Sequence, residues 1–221
     1  MSEEHTLGGP GAPSPFGRAP LDRGPLAREL LRLRCLQLDT ASLEEITAYD
    51  RAATAAAEAR LHAHAAEVGD LPPERPAPAR LLLTWYLSGR SAFCRAALLA
   101  LAAEFRRSAA PPPVIALTPE PPETARRTSA DLALPFPAVH DDGRNAEEFG
   151  IRYAAPLEFA ELLGLATADP SPGSSETQPP EPRGVLLPLP ATFLIEGGRI
   201  SGRFVHPDSR YRAEPAEFLR A

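Results

Sequence analysis

The spacing of apolar and polar residues changes near residue 81 and divides the chain into two parts. Before this point, leucines recur three or four positions apart, which is the spacing of one face of an α-helix. After it, short apolar runs alternate with helical patterns and turn signals, which is typical of an α/β domain. We therefore predict a helical N-terminal extension over 26–68 and an α/β domain over 69–221.

Two helices are predicted in the extension, over 26–38 and from Ser42 to about Glu67. The two adjacent apolar rows of the first helix consist of Leu26, Leu30 and Leu33, and of Leu31, Cys35 and Leu38. The second helix begins with a capping box formed by Ser42 and Glu45. These leucine-rich faces need a partner surface, either the chain's own sheet or a second copy in a homodimer.

The second part is predicted to have a central mixed sheet flanked by helices. The predicted strands are 81–87, 114–118, 137–140, 192–196 and 199–205, and the predicted helices are 92–107, 122–132, 146–153, 157–165 and 215–220. The last two strands flank Gly197-Gly198, which is a hairpin signature. Residues 1–25 are predicted to be a disordered tail, 69–78 a proline-rich connector and 167–183 a flexible insertion.

The candidate chemistry lies where the first strand meets the following helix, in LLLTWYLSGRSAFCR, residues 81–95. Ser91 occupies the N-cap position of that helix, so Cys94 lies in its first turn, close to unpaired backbone N–H groups. This position lowers the pKa of a thiol in general, and the thiolate is the species that attacks peroxides and disulfides. We expect Arg90 to add positive charge. Alternatively, Cys94 is a small core side chain on the apolar stripe of the helix, and Ser91 only a cap.

Residues 69–221 resemble the peroxiredoxin-like branch of the alkyl hydroperoxide reductase and thiol-specific antioxidant family, which has the thioredoxin fold. The matching segments occur in the family's order and are LLLTWYLSGRSAFC, VIALTPEPPETARRTSADLALPFPAVHDDGRNAEEFGIRY, LPLPATFLIEGGRI and FVHPDSRYRAEPAEFL. The resemblance implies an oxidoreductase that reduces a hydroperoxide, with Cys94 as the attacking thiolate and Ser91 as its hydroxyl neighbour. It also implies an external thiol as reductant and no cofactor.

The chain departs from the family motif at three positions. Leu87 stands where typical peroxiredoxins have the proline of Pro-x-x-x-Thr/Ser-x-x-Cys, and Ser91 replaces the first cysteine of the branch's Cys-x-x-Cys. Pro190 stands where they have an arginine. The alternative function is therefore a catalytically silent thioredoxin-fold scaffold or binding module. Pro190 and Thr192 resemble the cis-proline segment that supports the active site of thioredoxins. This resemblance favours a cis peptide bond at Pro190. The alternative is that Pro190 only begins a strand.

Cys35 has two interpretations. It is a resolving thiol that forms a disulfide with an oxidised Cys94, or it is a side chain that faces the core, which its place in one row with Leu31 and Leu38 favours.

The chain has 23 basic and 29 acidic residues, a net charge of −6, so we expect no nucleic-acid partner. The N-terminus lacks the apolar core of a secretory signal, and no apolar run is long enough to span a membrane. We expect a cytoplasmic protein, of bacterial origin from its arginine, alanine and proline bias. No metal site is expected.

Overall fold

The structure is a computed structural model, and it describes residues 24–62, 65–67, 69–70, 79–165 and 184–219. The predicted insertion at 167–183 and most of the predicted tail at 1–25 lie outside these residues. Gly24 and Pro25 are described, and Pro25 already belongs to the first helix. The assignment of the tail and the insertion therefore stays a prediction.

Helices and strands alternate through the second part of the chain, as the sequence predicts. The helices are α1 (Pro25–Thr40), α2 (Leu43–His62), α3 (Ala92–Arg107), α4 (Pro122–Asp131), α5 (Arg144–Glu148), α6 (Leu157–Leu162) and α7 (Ala216–Leu219). The strands are β1 (Arg80–Trp85), β2 (Val114–Thr118), β3 (Ala138–His140), β4 (Arg152–Pro156), β5 (Gly184–Pro188), β6 (Ala191–Glu196) and β7 (Arg199–Val205).

Five strands form the central sheet in the order β3-β2-β1-β6-β7. Strands β1, β2 and β3 are parallel, while β6 runs antiparallel to β1 and β7 antiparallel to β6. The turn between β6 and β7 uses Gly197 and Gly198, whose φ angles of 57° and 75° are left-handed. Because glycine reaches these angles without steric cost, the predicted hairpin forms at this site.

The two faces of β1 are covered by different elements, because successive side chains of a strand point to opposite sides. On one face, Trp85 packs against Phe149 and Phe193, with ring centroids 5.3 and 5.9 Å away. On the other face, Thr84 lies with Leu98 of α3 along one small cavity. The loop between β1 and α3 therefore leaves the middle of the sheet, where both sides are packed.

The N-terminal extension packs against the α/β domain. Helix α1 contacts α3 through Leu26 and Leu30, which are buried, and α2 contacts β4 and α6. The second leucine row of α1 remains exposed, with Leu31 59% and Leu38 56% accessible. The extension therefore covers its own domain with one face, as one of the two sequence interpretations requires, while the other face has no partner among the described residues.

Several predicted boundaries are wrong. The predicted helix at 146–153 ends at Glu148, because Gly150 adopts a left-handed φ of 63° and the chain continues into strand β4. Strand β5 was not predicted, and it pairs with β4 in a separate two-stranded antiparallel sheet. Helix α2 ends at His62, so its predicted continuation to Glu67 is also wrong.

The start of α1 is held by the C-terminal segment of the chain. The carboxylate of Glu214 accepts hydrogen bonds from the backbone N–H groups of Leu26 and Ala27, at 3.4 and 3.3 Å. A side chain at Gly24 would collide with this carboxylate. Since Gly24 is the N-cap and offers no side-chain oxygen, Glu214 replaces the missing local cap.

We predict that Glu214→Ala lowers the free energy of unfolding by about 1 kcal/mol, the usual cost of losing an N-terminal cap. Urea unfolding monitored by circular dichroism measures this change. Glu217→Gln is the matched control, because it removes a second carboxylate close to Glu214. Burial, and then the charge of the Glu214 carboxylate, raise the pKa of Glu217. An equal loss of stability in the control variant would refute the capping role of Glu214.

Candidate active site

The loop between β1 and α3 is held from below by a buried carboxylate. Glu120, which is 3% exposed, accepts hydrogen bonds from the Ser88 hydroxyl at 2.9 Å and from the Gly89 N–H at 3.0 Å. A side chain at Gly89 would collide with Thr128, so the loop approaches α4 as closely as a glycine allows. Glu120 and Thr128 thereby fix the direction in which α3 begins.

Ser91 caps α3, as the sequence predicts. Its backbone is extended, and its hydroxyl oxygen accepts a hydrogen bond from the Cys94 N–H at 3.4 Å. Both side chains are buried, Ser91 to 8% and Cys94 to 1% exposure. Cys94 is thus located in the first turn of a helix, as expected, but it is closed off from solvent.

Arg212 is the cation that contacts the Cys94 thiol. Its Nη2 lies 3.1 Å from the Cys94 Sγ, which is within hydrogen-bonding distance for sulfur. The other end of the guanidinium donates to the backbone carbonyls of Tyr211, at 2.7 Å, and Ser209. These backbone bonds fix the guanidinium over the sulfur, and a neighbouring cation favours the thiolate form of a cysteine.

Arg90, which the sequence suggested as an added positive charge, makes no described contact with the sulfur. Its side chain is exposed and lies over Gly164, where an added Cβ would come within 2.6 Å of the Arg90 Nη1. No described residue forms an ion pair with Arg90 or accepts a hydrogen bond from its guanidinium. The role of Arg90 at the sulfur therefore stays a prediction.

Tyr49 of α2 closes the site on the side opposite the sheet. Its ring packs edge-on against Phe93 and Phe159, with centroids 6.0 and 5.2 Å away. Burial and then the negative charge of a Cys94 thiolate raise the pKa of Tyr49 to about 12, although a hydrogen bond with Ser91 opposes the shift. The phenol therefore stays protonated at neutral pH and is a hydrogen-bond donor beside the thiol.

Arg210 holds the segment that carries Arg212. Its guanidinium is 5% exposed and bonds both oxygens of Asp208, at 2.9 Å each, and Asp50 of α2 at 2.7 Å. It also lies 5.6 Å from the centroid of the Tyr49 ring. Burial alone would lower the pKa of Arg210, but the bonds to Asp208 and Asp50 outweigh burial and raise it.

The two supporting residues expected from the sequence occupy the start of β6. All peptide bonds among the described residues are trans, so the expected cis bond at Pro190 is wrong and Pro190 only precedes a strand. Thr192 is buried, and its hydroxyl lies 3.0 Å from that of Thr84 on the paired strand. Thr192 and Arg212 line one small cavity beneath α3, and the supporting role of Thr192 stays a prediction.

Cys35 is exposed, so its interpretation as a core-facing side chain is wrong. It belongs to the outer row of α1, whereas Leu26 and Leu30 face α3, the helix that carries Cys94. Its role as a resolving thiol stays a prediction that this placement does not favour, because a disulfide requires the two Cα atoms within about 7 Å.

The described residues offer neither a metal site nor a membrane-spanning helix. They contain no cluster of three or more histidine, cysteine or acidic side chains that would hold a metal ion. None of their helices combines the length and apolar character that crossing a bilayer requires. Asp141 after β3 is an acidic side chain with a structural role, since it is 3% exposed and accepts a hydrogen bond from the Trp85 indole at 2.9 Å.

Two solved structures share the architecture of this chain. A Burkholderia cenocepacia protein assigned as a thioredoxin reductase matches with a TM-score of 0.52 at 13% identity, over 72% of this chain and 98% of that one. A peroxiredoxin-like protein from Aquifex aeolicus matches with a TM-score of 0.50 at 13% identity, over 70% and 84%. The chain has the thioredoxin-like fold of the peroxiredoxin-like proteins. No family model and no curated protein matches its sequence.

Within this peroxiredoxin-like fold, the site keeps a cation in a way that the motif comparison missed. Pro190 replaces the arginine expected before the late strand, but Arg212 brings a guanidinium to the sulfur from a segment 118 positions away from Cys94. In the sequence, the segment around Arg212 resembled the family, but that resemblance did not reveal the contact between Arg212 and Cys94. Likeness of fold alone does not establish an activity.

His206 makes the stability of this C-terminal segment depend on pH. Its Nδ1 accepts a hydrogen bond from the Asp208 N–H at 3.1 Å, and its ring lies 4.5 Å from that of Tyr211. Burial, only partly opposed by the bond and charge of Asp208, lowers the pKa of His206 from its ordinary value of 6.5. The unfolded chain therefore binds the proton more readily than the folded one.

We predict that the stability contributed by neutral His206 is complete above pH 6.5 and is lost as the pH falls from there towards its lowered folded pKa. Urea unfolding at several pH values between 5 and 8 measures this loss. In His206→Asn, the fall in stability below about pH 6.5 should be shallower. Identical pH profiles for both proteins would contradict the assignment.

Proposed function

We propose that this chain is a one-cysteine thiol peroxidase that reduces a hydroperoxide through Cys94. The observation that carries the proposal is the 3.1 Å contact between the Arg212 guanidinium and the Cys94 Sγ. A structural cysteine in a core needs no charged partner, whereas a half-buried guanidinium held at the sulfur is the kind of cation that activates a catalytic thiol. The pair is therefore best explained as a nucleophilic sulfur and its activating cation.

The reaction needs no cofactor. The Cys94 thiolate attacks the terminal oxygen of the hydroperoxide, a sulfur–oxygen bond forms and the oxygen–oxygen bond breaks. The sulfur is oxidised to a sulfenic acid and the peroxide is reduced to an alkoxide, which leaves as an alcohol after taking a proton. The Tyr49 phenol, protonated at neutral pH, is placed to donate a hydrogen bond beside the sulfur, and Ser91 holds the start of the helix.

The burial of Cys94 limits access to the sulfur. Its exposure is 1%, and the buried side chains of Tyr49 and Ser91 lie beside it. A peroxide reaches the sulfur when these side chains move apart. We expect such opening to be local and to leave the rest of the domain folded.

An external thiol completes the cycle. It attacks the sulfenic acid, releases water and forms a mixed disulfide with Cys94, and a second thiol then restores the Cys94 thiol. An intramolecular resolving step would need Cys35, whose thiol is exposed on the outer row of α1. A thiol-dependent cycle agrees with the cytoplasmic location expected from the sequence, since thiols are kept reduced there.

A second candidate function is the catalytically silent scaffold. It is favoured by one observation, the closure of the Cys94 site, since a small buried cysteine packs well without reacting. The scaffold function requires that Cys94 in a Cys35→Ser protein reacts with iodoacetamide only after unfolding. The peroxidase function requires a measurable reaction in the folded protein.

We predict that the purified protein consumes an alkyl hydroperoxide in the presence of a thiol reductant and that Cys94→Ser abolishes this activity. Arg212→Gln should lower kcat/KM by about tenfold to a hundredfold, the usual effect of losing one charge-assisted hydrogen bond. Coupled measurement of peroxide loss and thiol oxidation gives these rates.

Cys35→Ser is the control for the first variant and Arg127→Gln, an exposed arginine of α4, for the second. Both controls should retain the activity of the unmodified chain. Turnover that survives in Cys94→Ser, or is absent from the unmodified chain, would refute the peroxidase function.

A further inference from the structure

A groove of about 310 Å³ lies beside the candidate active site, between α1, the start of α2, the start of α3 and α6. Its larger apolar lining residues are Leu33, Leu36, Phe93, Leu162 and Leu163. Ser91 and Tyr49 also line it, and both lie beside Cys94. The groove therefore lies next to the helix turn that carries Cys94 and is large enough for a small molecule.

An unsatisfied polar group of α1 belongs to this lining. Gln37 is only 9% exposed, and its side-chain oxygen is buried without a hydrogen-bond partner among the described residues. Leaving a buried amide oxygen unpaired costs free energy, because its hydration has been lost without replacement. Gln37 is thus an unpaired hydrogen-bond acceptor in the lining of the groove.

Two opposite charges line the same groove. The guanidinium of Arg90 and the carboxylate of Glu45 form no hydrogen bond or ion pair with each other or with another described side chain. Arg90 lies next to the N-terminus of α3, which also favours a negative ligand group. Glu45 lies near the start of α2, where an acidic residue is favoured. That preference does not explain why Arg90, a residue of opposite charge, lines the same groove.

We propose that this groove binds the reductant of Cys94 and that the reductant is a zwitterionic thiol built from an amino acid or short peptide. Its carboxylate pairs with Arg90, its ammonium group pairs with Glu45, and an N–H group meets the unpaired oxygen of Gln37. The thiol then faces Tyr49 and Ser91. This proposal rests on the proposed function, because it assumes that Cys94 is oxidised and must be reduced.

In the reduction described above, the first thiol binds in this groove before it reacts with the sulfenic acid. The bound thiol gives up its proton, its sulfur bonds to the Cys94 sulfur, and the hydroxyl of the sulfenic acid leaves as water. A second thiol of the same class breaks this mixed disulfide, so two thiols are oxidised for each hydroperoxide reduced. Placing the first thiol in the groove raises its effective concentration at a buried sulfur.

Binding is tested without any reaction by titrating S-methylglutathione, which has both charges and no free thiol, into Cys94→Ser. Isothermal calorimetry gives the dissociation constant. Arg90→Gln and Glu45→Gln should each weaken binding about twofold to fivefold, the range for partly exposed ion pairs. The Ser42 hydroxyl oxygen accepts from the backbone N–H of residue 45 at 3.1 Å, and a glutamine at this position keeps that bond, so the start of α2 should remain intact.

Matched controls are available within the same elements. Glu44→Gln removes the neighbouring charge of the first turn of α2, and Arg127→Gln removes an exposed arginine outside the groove. Both should bind as Cys94→Ser alone does. Leu36→Glu should abolish binding, whereas Leu31→Glu, on the outer row of the same helix, should have no effect.

Kinetic comparison of thiols separates this proposal from the proposed function. Glutathione and cysteine should regenerate Cys94 faster than the uncharged 2-mercaptoethanol, and Arg90→Gln should remove that preference. Turnover with no preference and no binding of S-methylglutathione would overturn the groove proposal and leave the peroxidase function standing. Binding without turnover would refute the peroxidase function, and with it the role of the bound thiol as reductant, while the groove would remain a binding site for zwitterionic peptides. If the two groove variants Arg90→Gln and Glu45→Gln and the two controls Glu44→Gln and Arg127→Gln all weaken binding equally, the assignment of the ligand to this groove is wrong.

Discussion

The buried guanidinium of Arg210 ties three parts of the chain together. It bonds Asp208 in its own segment and Asp50 in α2, and it lies against the ring of Tyr49. Removing Asp208, its buried partner, is expected to cost about 3–5 kcal/mol, because the guanidinium is then left without compensation, whereas Asp50 is mostly exposed and contributes less. The ion cluster thus fixes the register of the C-terminal segment against α2, and the neighbouring Arg212 takes its position from that register.

This arrangement makes the N-terminal helices part of the site. Tyr49 closes it from α2, and Glu214, two positions after Arg212, holds the first turn of α1. The thioredoxin-like sheet and α3 alone would present a cysteine at a helix N-terminus and no cation. The chemistry proposed here therefore depends on contacts between the two ends of the chain.

The sequence predicted the parts of the structure that follow from local rules. The exact bounds of α3 and β2, the hairpin at Gly197-Gly198 and the cap at Ser91 each follow from spacing or turn chemistry within a few residues. The cation at Cys94 could not be predicted in this way, because it comes from 118 positions away. Gln37 was detectable in principle, since it continues the buried row of α1 that contains Leu26 and Leu30.

The central claim is that Arg212 makes Cys94 a reactive thiolate in the folded protein, and trapping of sulfenic acid tests it most directly. The Cys35→Ser protein is treated with one equivalent of hydroperoxide and dimedone, and the adduct at Cys94 is quantified by mass spectrometry. We predict rapid labelling of Cys94 that falls about tenfold or more in Arg212→Gln. Labelling that is absent from the folded protein, or equal in the two proteins, would contradict the account.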